Sequence, residues 1–211
     1  MKQLGLMIFL LTFATAGAHA DAFAVKIGGQ GWQTTADSGP LEAEENALSV
    51  WVALEHPIPL IPNAKIRSFD FEENDKLMVL KTTDYLLYYE LLDNAALTLD
   101  LGVGIHEISS GEVAGYEFEE TLPAIYGAAR FPFFDSDQGL GLYAEVLAAS
   151  EDNVSMTDLQ LGLSYSFSLS IIDLHLLAGY RVMSYELDGI NDRTFAEQDF
   201  DGFTLGFELD I

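Results

Sequence analysis

Apolar and polar residues alternate along much of the chain with a period of two, the period of a β-strand. The clearest run closes the sequence, where Phe203, Leu205, Phe207, Leu209 and Ile211 alternate with Thr204, Gly206, Glu208 and Asp210. The same pattern recurs upstream. One face is Leu48, Val50, Val52 and Leu54, another Tyr85, Leu87, Tyr89 and Leu91, and a third Leu97, Leu99, Leu101, Val103 and Ile105. Further faces are Leu159, Leu161, Leu163, Tyr165 and Phe167, and Leu174, Leu176, Ala178, Tyr180 and Val182. Weaker patterns at 22–33, 63–72, 119–131 and 139–149 bring the expected strands to ten. In 22–33, Phe23, Val25 and Ile27 oppose Ala24, Lys26 and Gly28. In 63–72 the pattern does not say whether Lys65, Arg67, Phe69 and Phe71 or Ala64, Ile66, Ser68 and Asp70 face outward. The last two rest on Leu122, Ala124, Tyr126 and Ala128, and on Leu142, Ala144, Val146 and Ala148.

Breakers between these runs give the connections. His56-Pro57-Ile58-Pro59-Leu60-Ile61-Pro62 holds three prolines, which cannot donate to a ladder, and Asp93-Asn94-Ala95 opens on a good turn pair. With Pro132–Gln138 and Ser168–Ile171 these form one set of turns. The other set, expected as the outer loops of a barrel, is Thr34–Asn46, Glu72–Leu77, Ser109–Phe118, Ser150–Met156 and Leu187–Asp199. An even strand number suits a closed up-and-down barrel. Eight strands stay open as an alternative, with 63–72 and 77–92 paired only as an extramembrane ribbon.

The N-terminus changes the picture. Met1 and Lys2, the apolar run Leu4–Ala16 and Ala18-His19-Ala20 have the three-part order of a cleaved secretory leader, giving an expected signal peptide 1–20 and a single domain 21–211. The apolar run is too short for a helical span, which needs about 20 residues, and no later run is longer. The net charge of −25 opposes nucleic-acid binding, which needs a basic footprint. Yet 49% of residues are hydrophobic, a pairing that fits apolar faces in lipid and charges in loops and lumen. Tyr85, Tyr89, Tyr165, Phe167, Phe203 and Phe207 suit an interfacial aromatic belt. The expected fold class is therefore all-β, an antiparallel up-and-down transmembrane β-barrel, located in the cell outer membrane. A β-sandwich or a soluble periplasmic lipocalin-like barrel shares the alternation; the leader and the amphipathic terminal strand favour the membrane.

Several segments resemble a family of small, functionally uncharacterised outer-membrane β-barrel proteins of Gram-negative bacteria. They are 55–63 (Glu55 to Asn63), 86–94 (Leu86 to Asn94), 122–131 (Leu122 to Phe131), Ala178-Gly179-Tyr180-Arg181 and the closing 200–207. These are strand and turn motifs. The resemblance implies a barrel and a location, and it carries over no activity and no functional residue.

Candidate chemistry is sparse. The lumen-facing parity is expected to hold Asp84, Glu90, Asp100, Glu145, Asp158, Arg181 and Glu208. Side chains fill narrow barrels, so these charges read as a salt-bridged plug with Arg181 as its main cation. The alternative is a narrow cation-permeable pore, since acidic rings favour cations. A lipid-A-modifying enzyme using His106 is a further reading, weakened because Ser109 points to the opposite parity and Ser110 lies four residues on. No cofactor is expected. Expected partners are outer-membrane lipid, lipopolysaccharide and the barrel-assembly machinery, which would read the terminal strand Phe203, Leu205, Phe207, Leu209 and Ile211. Acidic clusters at Glu42, Glu44 and Glu45, at Glu72, Glu73 and Asp75, at Glu117, Glu119 and Glu120, and at Asp188, Asp192, Glu197, Asp199 and Asp201 read as a solvated surface, or as places where divalent cations bridge to lipopolysaccharide phosphates.

Overall fold

The computed structural model describes residues 23–38, 41–58, 60–72, 78–94, 96–113, 115–133, 139–152, 154–169, 172–190, 193–194 and 197–211. The expected leader lies outside them. The strands are β1 (Ala24–Ser38), β2 (Leu41–Glu55), β3 (Asn63–Glu72), β4 (Met78–Asn94), β5 (Leu97–Val113), β6 (Tyr116–Pro132), β7 (Gly139–Glu151), β8 (Val154–Ser168), β9 (Asp173–Ile190), the two-residue β10 (Arg193–Thr194) and β11 (Gln198–Asp210). Each long strand pairs antiparallel with its sequence neighbour, β9 pairs with β11, and β11 returns to β1. Twelve residue pairs, from Lys26 with Asp210 to Asp37 with Asp199, close the ring. It is a closed ten-stranded up-and-down barrel, with β10 a stub on β9. β3 pairs with both β2 and β4, so the eight-strand alternative does not hold.

The outward faces are those the alternation picks out. Leu48, Val50, Val52 and Leu54, then Tyr85, Leu87, Tyr89 and Leu91, then Leu159, Leu161, Leu163 and Tyr165 all stand exposed, and Leu205 on the terminal strand is 71% exposed. Nine residues such as Leu159–Phe167, at about 3.3 Å each and tilted by about 40°, make a band of roughly 20 Å, close to the hydrocarbon height that membrane barrels present. Two of the four weaker segments take these orientations. In β3 the inward set is Lys65, Arg67, Phe69 and Phe71. In β6 Leu122, Ala124 and Tyr126 point inward, and Ile125, at 64% exposed, points out.

One set of expected connections is corrected. The residues read as long outer loops are largely strand: β1 and β2 run on to Ser38 and Leu41, β5 and β6 to Val113 and Tyr116, and β7 and β8 to Glu151 and Val154. The physical reason is a reversal of phase. Within the band, apolar residues face out and polar ones in. Beyond it, Phe71, Leu80, Ile108, Phe118, Met156, Met183, Tyr185 and Phe200 turn inward and bury, and Asp70, Glu119 and Glu186 are exposed. Strand β9 switches between Val182 and Met183. A barrel surrounded by water needs a dry interior, and this upper part has one. The acidic positions of β6 therefore sit on strand rather than loop. For Glu42, Glu44, Glu45 and Asp188 only the backbone, in strand, is described, and Glu73, Asp75 and Asp192 lie outside the described residues.

The opposite end, which carries Phe23 and Ile211, has the tight turns. Asn94 Oδ1 accepts from the backbone N–H of Ala96 and of Leu97, an Asx turn. In the proline-rich turn Asn63 Oδ1 accepts from His56 N–H, and Leu60 adopts φ 70°. Leu163→Arg, at mid-band, is expected to cost about 2–4 kcal/mol, and Ser155→Arg, beyond the band, about 0–1 kcal/mol. Urea titration of the barrel folded in vesicles measures the difference.

Candidate functional site

The lumen is layered. Beginning at the end with Phe23 and Ile211, it opens as a cavity of about 740 Å³ whose walls include Glu55, Glu90, Asp100, Arg130, His175 and Glu208. Two ion pairs cross-link this level. Lys26 Nζ lies 2.6 Å from Glu55 Oε1, which also accepts from the Tyr88 hydroxyl at 2.6 Å. Arg130 bonds Glu208 Oε1, and Trp51 Nε1 donates to Glu208 Oε2 at 2.7 Å. At the rim, Ser166 Oγ is 2.7 Å from His175 Nδ1. Higher up, Lys65 Nζ lies 2.7 Å from Glu145 Oε2, and Gln160 Nε2 donates to Tyr143 and, across the barrel, to Gln30 on β1.

The ceiling of the cavity is a buried network around Arg67. Its guanidinium reaches three carboxylates at 2.7 Å: Asp84 on β4, Glu145 on β7 and Asp158 on β8. Asp158 is also held by a two-point contact from Arg181, Nε to Oδ1 and Nη2 to Oδ2, both 2.8 Å. Arg181 donates to Ser49 on β2 and is 1% exposed. Its guanidinium lies 4.7 Å from the ring centre of Trp32 and 5.2 Å from that of Phe69, so its upper face meets the dry layer. Asp84 Oδ1 is 2.6 Å from His106 Nδ1, and His106 Nε2 is 3.0 Å from the Tyr185 hydroxyl. Above this level Trp32, Phe71, Leu147, Met156, Tyr185 and Phe200 fill the lumen.

Of the expected lumen charges, Asp84, Glu145, Asp158 and Arg181 join one network and Glu208 anchors a second. Glu90 and Asp100 line the cavity and form no ion pair among the described residues. Arg181 is not the main cation: Arg67 bridges three acids, Lys65 shares Glu145 with it, and Lys26 and Arg130 pair separately with Glu55 and Glu208. Five of the chain's nine Lys and Arg residues thus point into the lumen. One signal could have found them. A charge in mid-band has nowhere to face but the lumen, because the lipid side is costly. His106 has both ring nitrogens engaged, and Ser109 is exposed with its hydroxyl donating to the Lys81 carbonyl. Among the described residues the ring's partners are Asp84 and Tyr185, and no serine hydroxyl bonds it.

The ring of strands, the apolar band and the charged lumen define a β-barrel of the membrane-spanning kind. No family model and no curated protein matches the chain. Among solved structures it is similar to Neisserial surface protein A, at 14% identity over 90% of this chain and 97% of that one, with a TM-score of 0.33. It is also similar to the translocator domain of the autotransporter NalP from Neisseria meningitidis, at 12% identity over 98% and 94%, TM-score 0.35. A loop-deletion mutant of OmpT, an outer membrane protein of Vibrio cholerae, gives 10% identity over 90% and 100%, TM-score 0.29. The barrel class follows from the strand ring itself.

Arg67→Met is expected to cost about 3–5 kcal/mol by leaving three buried carboxylates short of their partner, and Arg67→Lys to recover part of that, since an ammonium cannot fork between them. Equilibrium unfolding in vesicles checks both. At the lower level, a Cβ on Gly28 would lie 2.1 Å from the Trp51 ring. Gly28→Ala is expected to push the indole off Glu208, cost about 1–3 kcal/mol and shift the tryptophan emission, which comes from two residues only.

Proposed function

We propose that the chain is an outer-membrane β-barrel of a Gram-negative bacterium with a structural or interaction role, closed to the passage of solutes. The end with Phe23 and Ile211 faces the periplasm, and the long hairpins face outward. The observation that carries this reading is the septum across the lumen. A conducting barrel needs a continuous wet path, and wide aqueous channels belong to barrels of about 16 strands. Here the cavity ends at the Arg67 network, and the dry layer of Trp32, Phe71, Leu147 and Phe200 lies beyond it. That arrangement favours the plug over the narrow cation pore.

In this reading the partners are the lipids around the band, lipopolysaccharide at the outer rim and the assembly machinery that recognises β11. The acidic outer wall would meet lipopolysaccharide phosphates through divalent cations. Among the described residues no three His, Asp or Glu side chains converge to hold a metal alone, so the phosphates would complete such a site. Reconstituted in planar bilayers, the full-length barrel is expected to give no discrete conductance steps in potassium chloride. Reproducible single-channel steps from the unaltered protein would overturn the closed reading.

A further inference from the structure

We propose that the blind cavity is a binding site for a small organic ammonium ion of the diamine class, entering from the end with Phe23 and Ile211. This rests on the closed-barrel reading, because a septum turns the lumen from a passage into a receptacle. At about 740 Å³ the cavity is within the range of small-molecule sites, roughly 300–1,000 Å³.

Eight carboxylates line the cavity against four cations. Each of the four is already engaged: Lys26 by Glu55, Lys65 by Glu145, Arg67 by its three acids and Arg130 by Glu208. Glu90, Asp93, Asp100 and Asp173 form no ion pair among the described residues, and Glu90 and Asp100 are direct cross-strand partners in the register of β4 with β5. Like charges placed opposite one another destabilise a sheet.

Asp100 Oδ1 is enclosed and has no hydrogen-bond partner. A buried carboxylate oxygen without a donor is costly and calls for an ion, a water or a ligand group. A cation entering between Asp100 and Glu90 relieves the repulsion, and a turn of the Asp100 carboxylate about its own bond brings the unpartnered oxygen to it.

This lumen already recognises ammonium groups. Lys65 Nζ sits on Glu145, takes the Tyr126 hydroxyl as an acceptor at 3.1 Å and lies 5.1 Å from the Tyr126 ring centre and 5.8 Å from that of Trp51. Carboxylate beside aromatic face is the chemistry that selects organic cations. A bare metal ion is disfavoured, since no three ligating side chains converge among the described residues. Carboxylates spread along a wall suit a cation with two separated charges.

The test is isothermal titration calorimetry of the full-length barrel folded in detergent micelles, with butane-1,4-diamine as the probe. Saturable binding of one diamine per barrel is expected. Asp100→Asn should weaken it on the order of tenfold, the loss expected for one charge-assisted hydrogen bond, and Glu119→Gln on the outer wall should leave it unchanged. Heat-modifiable migration on gels certifies folding. Should Asp100→Asn not fold, Glu90→Gln, whose side chain is solvent-exposed, decides in its place. Absence of saturable heat, unchanged affinity in both lumen variants, or displacement of the diamine by calcium at equal concentration overturns the proposal. A barrel that is silent in bilayers yet ignores the diamine defeats this inference alone; one that conducts defeats the closed reading beneath it.

Discussion

Backbone amides in hydrocarbon have no water to fall back on, and everything else in this structure follows from that constraint. A strand that enters the bilayer must be paired on both sides, so the sheet has to close. The closure falls between β1 and β11, with Val25 and Ile211 exchanging the last pair of backbone hydrogen bonds. Once the ring is closed, the outward face of every strand must be apolar and the inward face takes what is left. A ten-stranded ring is too wide to be filled by glycine and serine. Long side chains have to meet across it.

Charged groups meet this demand only if they neutralise one another. Arg67 does so by joining acids from three other strands, and its contact with Asp158 spans from β3 to β8 across the lumen. Gln30 and Gln160 make a second such strut. Removing a partner from such a group leaves a charge in a medium that solvates it poorly, which is why buried ion networks are weak sources of net stability but strong determinants of one arrangement. The network also divides the lumen, with water-accessible walls below it and hydrocarbon-like packing above, where Arg181 lies over Trp32 and Phe69.

The barrel was legible in the chain because period two survives in nearly every strand. Leu48–Leu54, Tyr85–Leu91 and Phe203–Ile211 declare their outer face directly. The strand ends were not legible, because the apolar parity reverses where the barrel leaves the lipid band. At Val182-Met183 two adjacent apolar residues face opposite ways, and a search for one continuous parity stops there and reads a loop. The site was half legible. Carboxylates such as Asp84 and Asp158 stood on the inward parity of clear strands, but Arg67 and Lys65 stood in β3, where both parities mix apolar and polar residues. Pairing across the lumen, such as Arg67 with Asp158, is a property of the closed ring and leaves no mark on either segment alone.

The continuation of the ladder past the band has a mechanical consequence. From Ile105 to Val113 the chain climbs about 20 Å, at roughly 3.3 Å per residue and a tilt of about 40°. Over that height it is stiffened by cross-strand hydrogen bonds to β4 and β6 and by a greasy filling. The hairpin tip at Gly115, with its left-handed φ of 82°, is thus held aloft on a rigid mast. A large molecule approaching this end of the barrel meets braced sheet up to the level of the tip.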